Sequence, residues 1–460
     1  MDAVERVRRA TMGSRFEGRL FLVGGAIRDR ILGRAERTDV DIVVVGDALE
    51  VADLLHSAGI SDHRPVVYPR FGTARVQVSG VAIELASARS ESYDAASRKP
   101  EVRPASLRED VLRRDFTINT LVEDIHHGGV QDLTGMALAD LNARLIRTPL
   151  SPSRTFADDP LRMLRAIRFA VTLGFAIEPG TWRAIAEQSG RIDLLSSVPR
   201  VVSAERVRDE FERIILSPDP AAGMELLMAS GLLARFLPEL VAMKGVIQNA
   251  WHARDVWDHT MEALRQVPDA SLAVRLGLLF HDVGKPVTRT EDERGVHFYG
   301  HENIGADMTR RALHRLRMPA ALVREASDLV ALHMRLGQVA PDWTPAALRR
   351  LVRDVGPRLE RLHRIAAADI AAMGGDAHPP DLDQVMARIA DTNAEMNASE
   401  VHSPLDGGAV MRLLGVPPGP IVGRAKDYLV NEIIEGRLQP DDVAAAERVV
   451  VAWMARGAPE

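Results

Sequence analysis

From Leu20 to Val45 the chain reads LFLVGGAIRDRILGRAERTDVDIVVV, and this run limits what the rest can be. Leu20–Val23 is a short apolar strand, Gly24-Gly25 a tight turn, and Ala26–Leu32 one helix that Gly33 stops. A second strand then carries Asp39 and Asp41 before the apolar run Ile42–Val45. Residues i and i+2 of a strand share a face, so the two carboxylates project side by side. Adjacent carboxylates repel unless a cation lies between them. A divalent ion with oxygen ligands, most often Mg²⁺, suits that place and itself recruits phosphate oxygens. The Gly-Gly turn at a helix N-terminus offers bare N–H donors and a positive dipole end to a phosphate chain, with Arg28 one turn on. A lone D-x-D is usually a solvated edge and a lone Gly-Gly a turn; their order carries the reading of a metal-assisted phosphoryl-transfer site.

GG and D-x-D with thirteen residues between them resemble the signature of polymerase-β-like nucleotidyltransferases. The fuller LVGGAIRDRILG…DVDIVV resembles the first motif of class II tRNA nucleotidyltransferases, the CCA-adding enzymes and bacterial poly(A) polymerases. The resemblance implies an α/β nucleotidyltransferase head with a small mixed or antiparallel sheet, followed by helices. With 460 residues the chain is too long for one core. The expected division is a head over 1–142, a helical neck over 143–215, a helical body over 216–380 and a helical tail over 381–460. A formal net charge of −6 does not advertise nucleic-acid binding, so any RNA site has to be a local patch. Without cysteine, neither disulfides nor thiolate metal sites form. No apolar run approaches the ~20 residues of a membrane span and no signal segment opens the chain, so a cytoplasmic location is the expectation.

Beyond the second strand, Asp47–Ala58 has helical apolar spacing, and Arg75–Val78 with Val81–Leu85 suits an antiparallel hairpin. Glu84 reads either as a third metal-directed carboxylate or as an ordinary strand glutamate. Residues 87–108 are polar and proline-interrupted, a mobile loop by composition. RRDFTIN (Arg113–Asn119) matches the second motif of the same family residue for residue. The resemblance gives Arg114 and Asp115, with Asn119, the task of holding the nucleotide ribose, whose 2′-hydroxyl both donates and accepts. GGVQDLTG, with Asp132 and Gly135, resembles the next motif, a turn into the first helix beyond the sheet.

FADDPLRMLRAIRFAVTLGF (Phe156–Phe175) reads as a helix closed by Gly174, with Asp158 or Asp159 as N-cap before Pro160. One reading is a capped helix with an Asp158/Arg162 pair. The other places Asp159 and Arg162 on one helical face as an acceptor beside a forked donor. Cytosine and adenine each show an amino donor beside a ring acceptor, so such a fork accepts both and leaves guanine and uracil mispaired. The stretch resembles the E-D-x-x-R motif of class II CCA-adding enzymes, with Asp158 where the family has Glu. Arg165 and Arg168 match the LRAxRFA pattern and face either the triphosphate or RNA, or solvent. ERVRDEF (Glu205–Phe211) resembles a fifth, supporting motif.

Residues 245–375 carry a different constellation: His259 in VWDHTMEAL, His281-Asp282 in LGLLFHDVGKP, and Asp369 in IAAADIAAM, with His301 and His333 between. Imidazoles with carboxylates suit a transition metal. The order H…HD…D resembles the HD phosphohydrolase superfamily and implies a metal site of His259, His281, Asp282 and Asp369, with Ni²⁺ or Mn²⁺ as the ion. The closing stretch LLGVPPGPIVGRAKDYLVNEII is two amphipathic helices joined at Pro-Pro-Gly-Pro. It resembles the tRNA-binding tail of bacterial CCA-adding enzymes. Together these resemblances imply transfer of CMP and AMP from CTP and ATP to a tRNA 3′ end. Related alternatives are CC-only, A-only or poly(A) addition, and an HD-type phosphohydrolase acting on RNA ends.

Overall fold

The computed structural model describes residues 3–34, 39–92, 101–196, 201–248, 254–293, 295–373, 380–397 and 402–458. Two units emerge from the internal contacts: residues 1–244 with 268–272 and 311–323, and residues 245–267, 273–310 and 324–460.

The first unit opens with α1 (Ala3–Thr11), β1 (Leu20–Val23), α2 (Gly25–Ile31), β2 (Asp39–Val44) and α3 (Ala48–Ser57). There follow β3 (Val66–Tyr68), β4 (Thr73–Val78), β5 (Val81–Ser87), β6 (Arg89–Ser92), β7 (Glu101–Pro104) and α4 (Leu107–Leu112). Strands β8 (Leu121–Asp124) and β9 (Val130–Asp132) complete a seven-stranded mixed sheet of order β3-β4-β5-β2-β1-β8-β9. Among the described residues of this sheet only β2 and β5 pair in parallel, with Asp41 opposite Glu84. Period-2 alternation sorts the side chains. Leu20, Ile42, Val44, Ala74, Val76, Ile83 and Leu85 face the core with Val7 of α1 and Val51 and Leu55 of α3. Phe21, Val23, Val43 and Val122 pack on the other face with Val111 of α4. Asp41 shares that second face with Val43, two residues on.

Three expectations are corrected here. Residues 87–108 are not a loop throughout: β6 and β7 pair as an antiparallel hairpin, whose tip lies outside the described residues. The 156–175 stretch is two helices, α6 (Pro152–Asp158) and α7 (Leu161–Leu173), after α5 (Ala137–Asn142) and the short β10 (Leu145–Ile146). Pro160 explains the break, because its ring forces the preceding residue out of the helical region, and Asp159 is extended at φ −144°, ψ 102°. An Asp158/Arg162 helical pair therefore does not form. The N-cap position of α7 is Pro160, although Asp159 still accepts from the Leu161 N–H at 3.1 Å.

Beyond Gly174, left-handed at φ +71°, come β11 (Ala176–Ile177), α8 (Pro179–Gln188), α9 (Ala204–Ile215), α10 (Pro220–Ala229) and α11 (Pro238–Val241). Helices α7, α9 and α10 pack together, and the close approach falls at Gly223. A Cβ there would lie 2.5 Å from Cγ2 of Ile214.

The second unit holds α12 (Val256–Arg265), nearly all of α13 (Leu272–Phe280), α14 (Lys285–Thr288), the hairpin β12 (Thr290–Asp292) and β13 (Gly295–His297), and the larger parts of α15 (His301–Arg315) and α16 (Ala320–Leu332). It continues through α17 (Pro345–Val355), α18 (Leu359–Ala372) and α19 (Leu382–Asn397). In the tail, α20 (Gly407–Leu414) and α21 (Pro420–Ile434) meet at the Pro-Pro-Gly-Pro turn as expected, and α22 (Val443–Ala455) joins them around a core of Val410, Leu429, Val450 and Trp453.

Gly223→Ala is expected to cost about 1–3 kcal/mol by overpacking between α9 and α10. Thermal melting would show it as a lowered transition, and an unchanged transition would mean that the two helices separate freely.

Candidate functional site

The first candidate site is a cavity of about 720 Å³ in the first unit. Its floor is the turn between β1 and α2. Gly24 adopts φ +75°, a conformation that a side chain disfavours, and its bare Cα lies beside both Arg114 and the Asp41 carboxylate. Asp39 begins β2, in register with Ala82, and its side chain lies outside the described residues.

One wall comes from the segment after α4. The Asp115 carboxylate accepts from the Phe116 N–H at 2.8 Å and Asn119 Nδ2 at 3.0 Å through one oxygen. Its other oxygen accepts from Nε and Nη2 of Arg165 on α7, at 2.9 and 2.5 Å. Burial alone would raise the Asp115 pKa, but Arg165 and Asn119 hold it well below the usual carboxylate range. Asn119 also accepts from Arg28 Nη1 at 2.6 Å, and the rest of that guanidinium binds the adjoining Asp29 carboxylate at 2.8 and 3.0 Å. Arg28 is thus buried and tied to protein groups, so the structure gives it a bracing place at the cavity wall.

The opposite wall is cationic. Arg165 and Arg168 of α7 and Arg213 of α9 all approach Glu210, at 3.7, 3.3 and 3.4 Å. Glu210 is only 3% exposed and stands on the buried stripe of α9 with Val207, Phe211 and Ile214. Desolvation lowers Arg168 to about 10, against the pull of Glu210, which leaves it charged at neutral pH. The ring of Phe169 lies 5.2, 5.5 and 4.4 Å from the guanidinium carbons of Arg28, Arg165 and Arg168. Arg34 and Arg114 also line the cavity, so guanidinium groups outnumber carboxylates around a space suited to a polyphosphate.

Asp158 ends α6, and Asp159 and Arg162 follow it beside Arg165 and Asp115, which line the cavity. Asp159 Oδ2 accepts from Arg206 of α9 at 2.8 Å, while Arg162 Nη2 donates to the Arg113 carbonyl at 2.7 Å. Asp159 thus lies just before α7 and Arg162 in its first turn, and each is fixed by a different neighbour.

The second candidate site lies in the second unit. His259 of α12, His281 and Asp282 after α13, His301 at the start of α15, His333 after α16 and Asp369 of α18 converge there. The ligand atoms form two close groups, His259 with His281 and Asp282, and Asp282 with His301 and His333. Nδ1 of His281, His301 and His333 lies 2.7, 2.8 and 2.7 Å from the carbonyls of Leu278, Phe298 and Val330. A carbonyl only accepts, so Nδ1 carries the proton and Nε2 presents a lone pair. Nε2 of His281 stands 3.1 Å from Asp282 and 3.5 Å from Asp369, without hydrogen-bond geometry to either. Nε2 of His301 and His333 face each other at 3.4 Å. Lone pairs and carboxylates facing inward fit a cation. Without one, burial pushes His281 down, but Asp282 and Asp369 carry it up to about 10, whereas burial and the His281 charge hold His333 down at about 4. Gly284 leaves no room for a side chain, because a Cβ there would collide with the His301 carbonyl. A cavity of about 450 Å³ opens beside Asp282, Lys285, His301 and Asp369.

Comparison with known proteins bears on both units. Residues 20–147 match the poly A polymerase head domain, 174–243 the probable RNA and SrmB-binding site of polymerase A, and 250–391 the HD domain. The CC-adding tRNA nucleotidyltransferase of Thermus thermophilus is 33% identical over 434 residues, 93% of this chain and 92% of that protein. The chain belongs to the tRNA nucleotidyltransferase and poly(A) polymerase family.

Other members of the family are similar over less of their length. The A-adding tRNA nucleotidyltransferase of Deinococcus radiodurans is 37% identical, covering 70% of this chain and 74% of its own. The multifunctional CCA protein of Halorhodospira halophila is 35% identical, covering 76% and 82%. The solved CCA-adding enzyme of Bacillus stearothermophilus in complex with CTP shares the fold, with a TM-score of 0.69 at 23% identity over 100% of this chain and 99% of that one. This chain is accordingly a nucleotidyltransferase, with a metal-dependent head and an HD domain. Among the described residues, no helix is long and apolar enough to cross a membrane.

Sequence reasoning did not find Glu210 as the hub of three arginines, nor Phe169 beneath them. The signal for Glu210 was available: a lone acid on an otherwise apolar helical stripe. His301 and His333 were noted but not placed in the ligand set.

Stripping the protein with chelator and titrating back Mn²⁺ or Ni²⁺ is expected to stabilise it by about 2.7 kcal/mol at a hundredfold excess over the dissociation constant. Asp282→Ala, which removes the group shared by both clusters, should abolish that gain; a gain retained in the variant would show binding elsewhere.

Proposed function

We propose that the chain is a template-independent tRNA nucleotidyltransferase that adds C, C and A to the tRNA 3′ end, using CTP and ATP. The observation that carries it is the arginine-rich cavity with Gly24, Asp41 and Arg114 at its floor and the Asp115–Arg165 pair across it. The triphosphate lies along the α2 N-terminus and the arginines of α7 and α9. Arg114 and Asn119 meet the ribose, and Asp115 holds Asn119 and Arg165 in place. Asp159, steadied by Arg206, and Arg162, steadied by the Arg113 carbonyl, read the amino and ring-nitrogen edge shared by cytosine and adenine.

The donor set at the head is all oxygen, Asp41 with Asp39 in the same strand and Glu84 opposite, which suits a hard cation. Magnesium held there supplies charge neutralisation for the phosphates and lowers the pKa of the attacking hydroxyl. The RNA 3′-oxygen forms a bond to the α-phosphorus, the α–β bridging bond breaks, pyrophosphate leaves, and the hydroxyl proton passes to solvent.

A second reading has a specific observation behind it. The Thermus relative that aligns almost end to end is named CC-adding, so restriction to the two cytidines is the main alternative within the family. For the HD unit we propose a metal-dependent phosphohydrolase acting on phosphate at RNA ends, with the six converging ligands binding Mn²⁺ or Ni²⁺.

The decisive assay offers tRNA ending at the discriminator base, and tRNA ending in CC, to the protein with CTP and ATP separately and together. Full CCA addition gives CC from CTP alone on the first substrate and A from ATP on the second; failure of the second step selects the CC-adding reading. Asp41→Ala should lower incorporation at least about a hundredfold. Unchanged incorporation would remove the head from the chemistry. Hydrolytic opening of 2′,3′-cyclic phosphate ends to the terminal phosphomonoester should persist in Asp41→Ala and vanish in His281→Ala.

A further inference from the structure

Among the described residues, the second face of the head sheet is covered at one end and open at the other. Near β1 and β8 it packs on α4 through Val23, Val43 and Val122. Towards β5, β4 and β3 the row changes character. Asp41 stands opposite Glu84, Glu84 opposite Arg75, and Arg75 opposite Val66. Directly opposed residues share a face, so one strip runs from the metal-directed carboxylate to the sheet edge. Two residues along, Tyr68 stands opposite Thr73 on the same face. Val66 and Tyr68 are 52% and 50% exposed, Arg75 is exposed as well, and the alternate residues Ala74 and Val76 fill the core behind.

An exposed valine and an exposed tyrosine on one face of an edge strand, Val66 and Tyr68, are a liability unless something lies on them. The chemistry of the occupant follows from the geometry of transfer, and this step rests on the reading of the head as a nucleotidyltransferase. The leaving pyrophosphate belongs at the Gly24-Gly25 turn and the α2 N-terminus, on the β1 side of Asp41. An in-line displacement puts the attacking oxygen on the opposite side of the phosphorus. That side is the β5-β4-β3 strip. An open sheet face with an aromatic ring and an arginine suits single-stranded nucleic acid, the ring stacking on a base and the guanidinium meeting a phosphate.

We infer that this strip is the track for the last unpaired nucleotides of the RNA acceptor, with Tyr68 stacking on a base and Arg75 binding a backbone phosphate. Neither residue lines the nucleotide cavity. Their substitution should therefore separate the two substrates.

The test measures initial rates for Tyr68→Ala, Arg75→Ala and Arg75→Lys at varied tRNA and varied CTP, with fluorescence binding of tRNA ending at the discriminator base alongside. Tyr68→Ala and Arg75→Ala are expected to raise the KM and Kd for tRNA about tenfold. The KM for CTP should stay within twofold (roughly) of wild type, and Arg75→Lys should recover part of the loss. Unchanged tRNA affinity in both alanine variants would overturn the track, as would a parallel rise in the KM for CTP. Binding is read without turnover, so a wild-type protein that binds tRNA through this strip but adds no nucleotide would sink the catalytic reading and keep the surface.

Discussion

The first unit depends on an ion pair that spans two elements far apart in sequence. Asp115 lies in the segment between α4 and β8, Arg165 in the middle of α7, and their contact at 2.5 Å joins a buried carboxylate to a half-buried guanidinium. Burying the Asp115 charge alone would be costly, and a buried carboxylate left without its partner typically costs about 3–5 kcal/mol. The pair is affordable because each member has further partners. Asp115 takes the Phe116 N–H and Asn119, while Arg165 also lies over Phe169 and near Glu210. The consequence is geometric. Once this contact is made, the sheet's carboxylate and Gly-Gly turn face the arginines of α7 and α9 across one cavity.

A second constraint of the same kind shapes the other unit. Three imidazoles are tied through Nδ1 to carbonyls three residues earlier in the chain, each at the end or start of a helix. Their remaining nitrogens therefore point inward as lone pairs, towards Asp282 and Asp369. In both units a cluster that is electrostatically unfavourable by itself is held by tertiary packing and directed at a cavity. Such unfavourable clusters mark where a protein binds a counter-charge: phosphate in the head, a metal ion in the HD domain.

Much of this was legible in the chain. The strand, Gly-Gly turn, helix and D-x-D strand could be read because each is local: period-2 apolar residues, a glycine at positive φ, and a helix stopped by Gly33. The four expected HD residues were legible for another reason, their order along the chain. What escaped was tertiary. The break at Asp159 was written in Pro160 but outweighed by the apolar spacing on either side. Glu210 gave a signal only as an acid on an apolar stripe, and its three arginine partners come from two helices. Arg28 was legible only by its place one turn into α2; its ties to Asp29 beside it and to Asn119 far along the chain were not.

The most direct test is a double-mutant cycle on CTP affinity, measured calorimetrically with magnesium present for wild type, Asp115→Asn, Arg165→Gln and the double variant. If the pair assembles the nucleotide cavity, each single change weakens CTP and the double change weakens it little further, a coupling on the order of 1–3 kcal/mol. Losses that simply add, or CTP affinity that survives all three substitutions, would contradict that role for the pair.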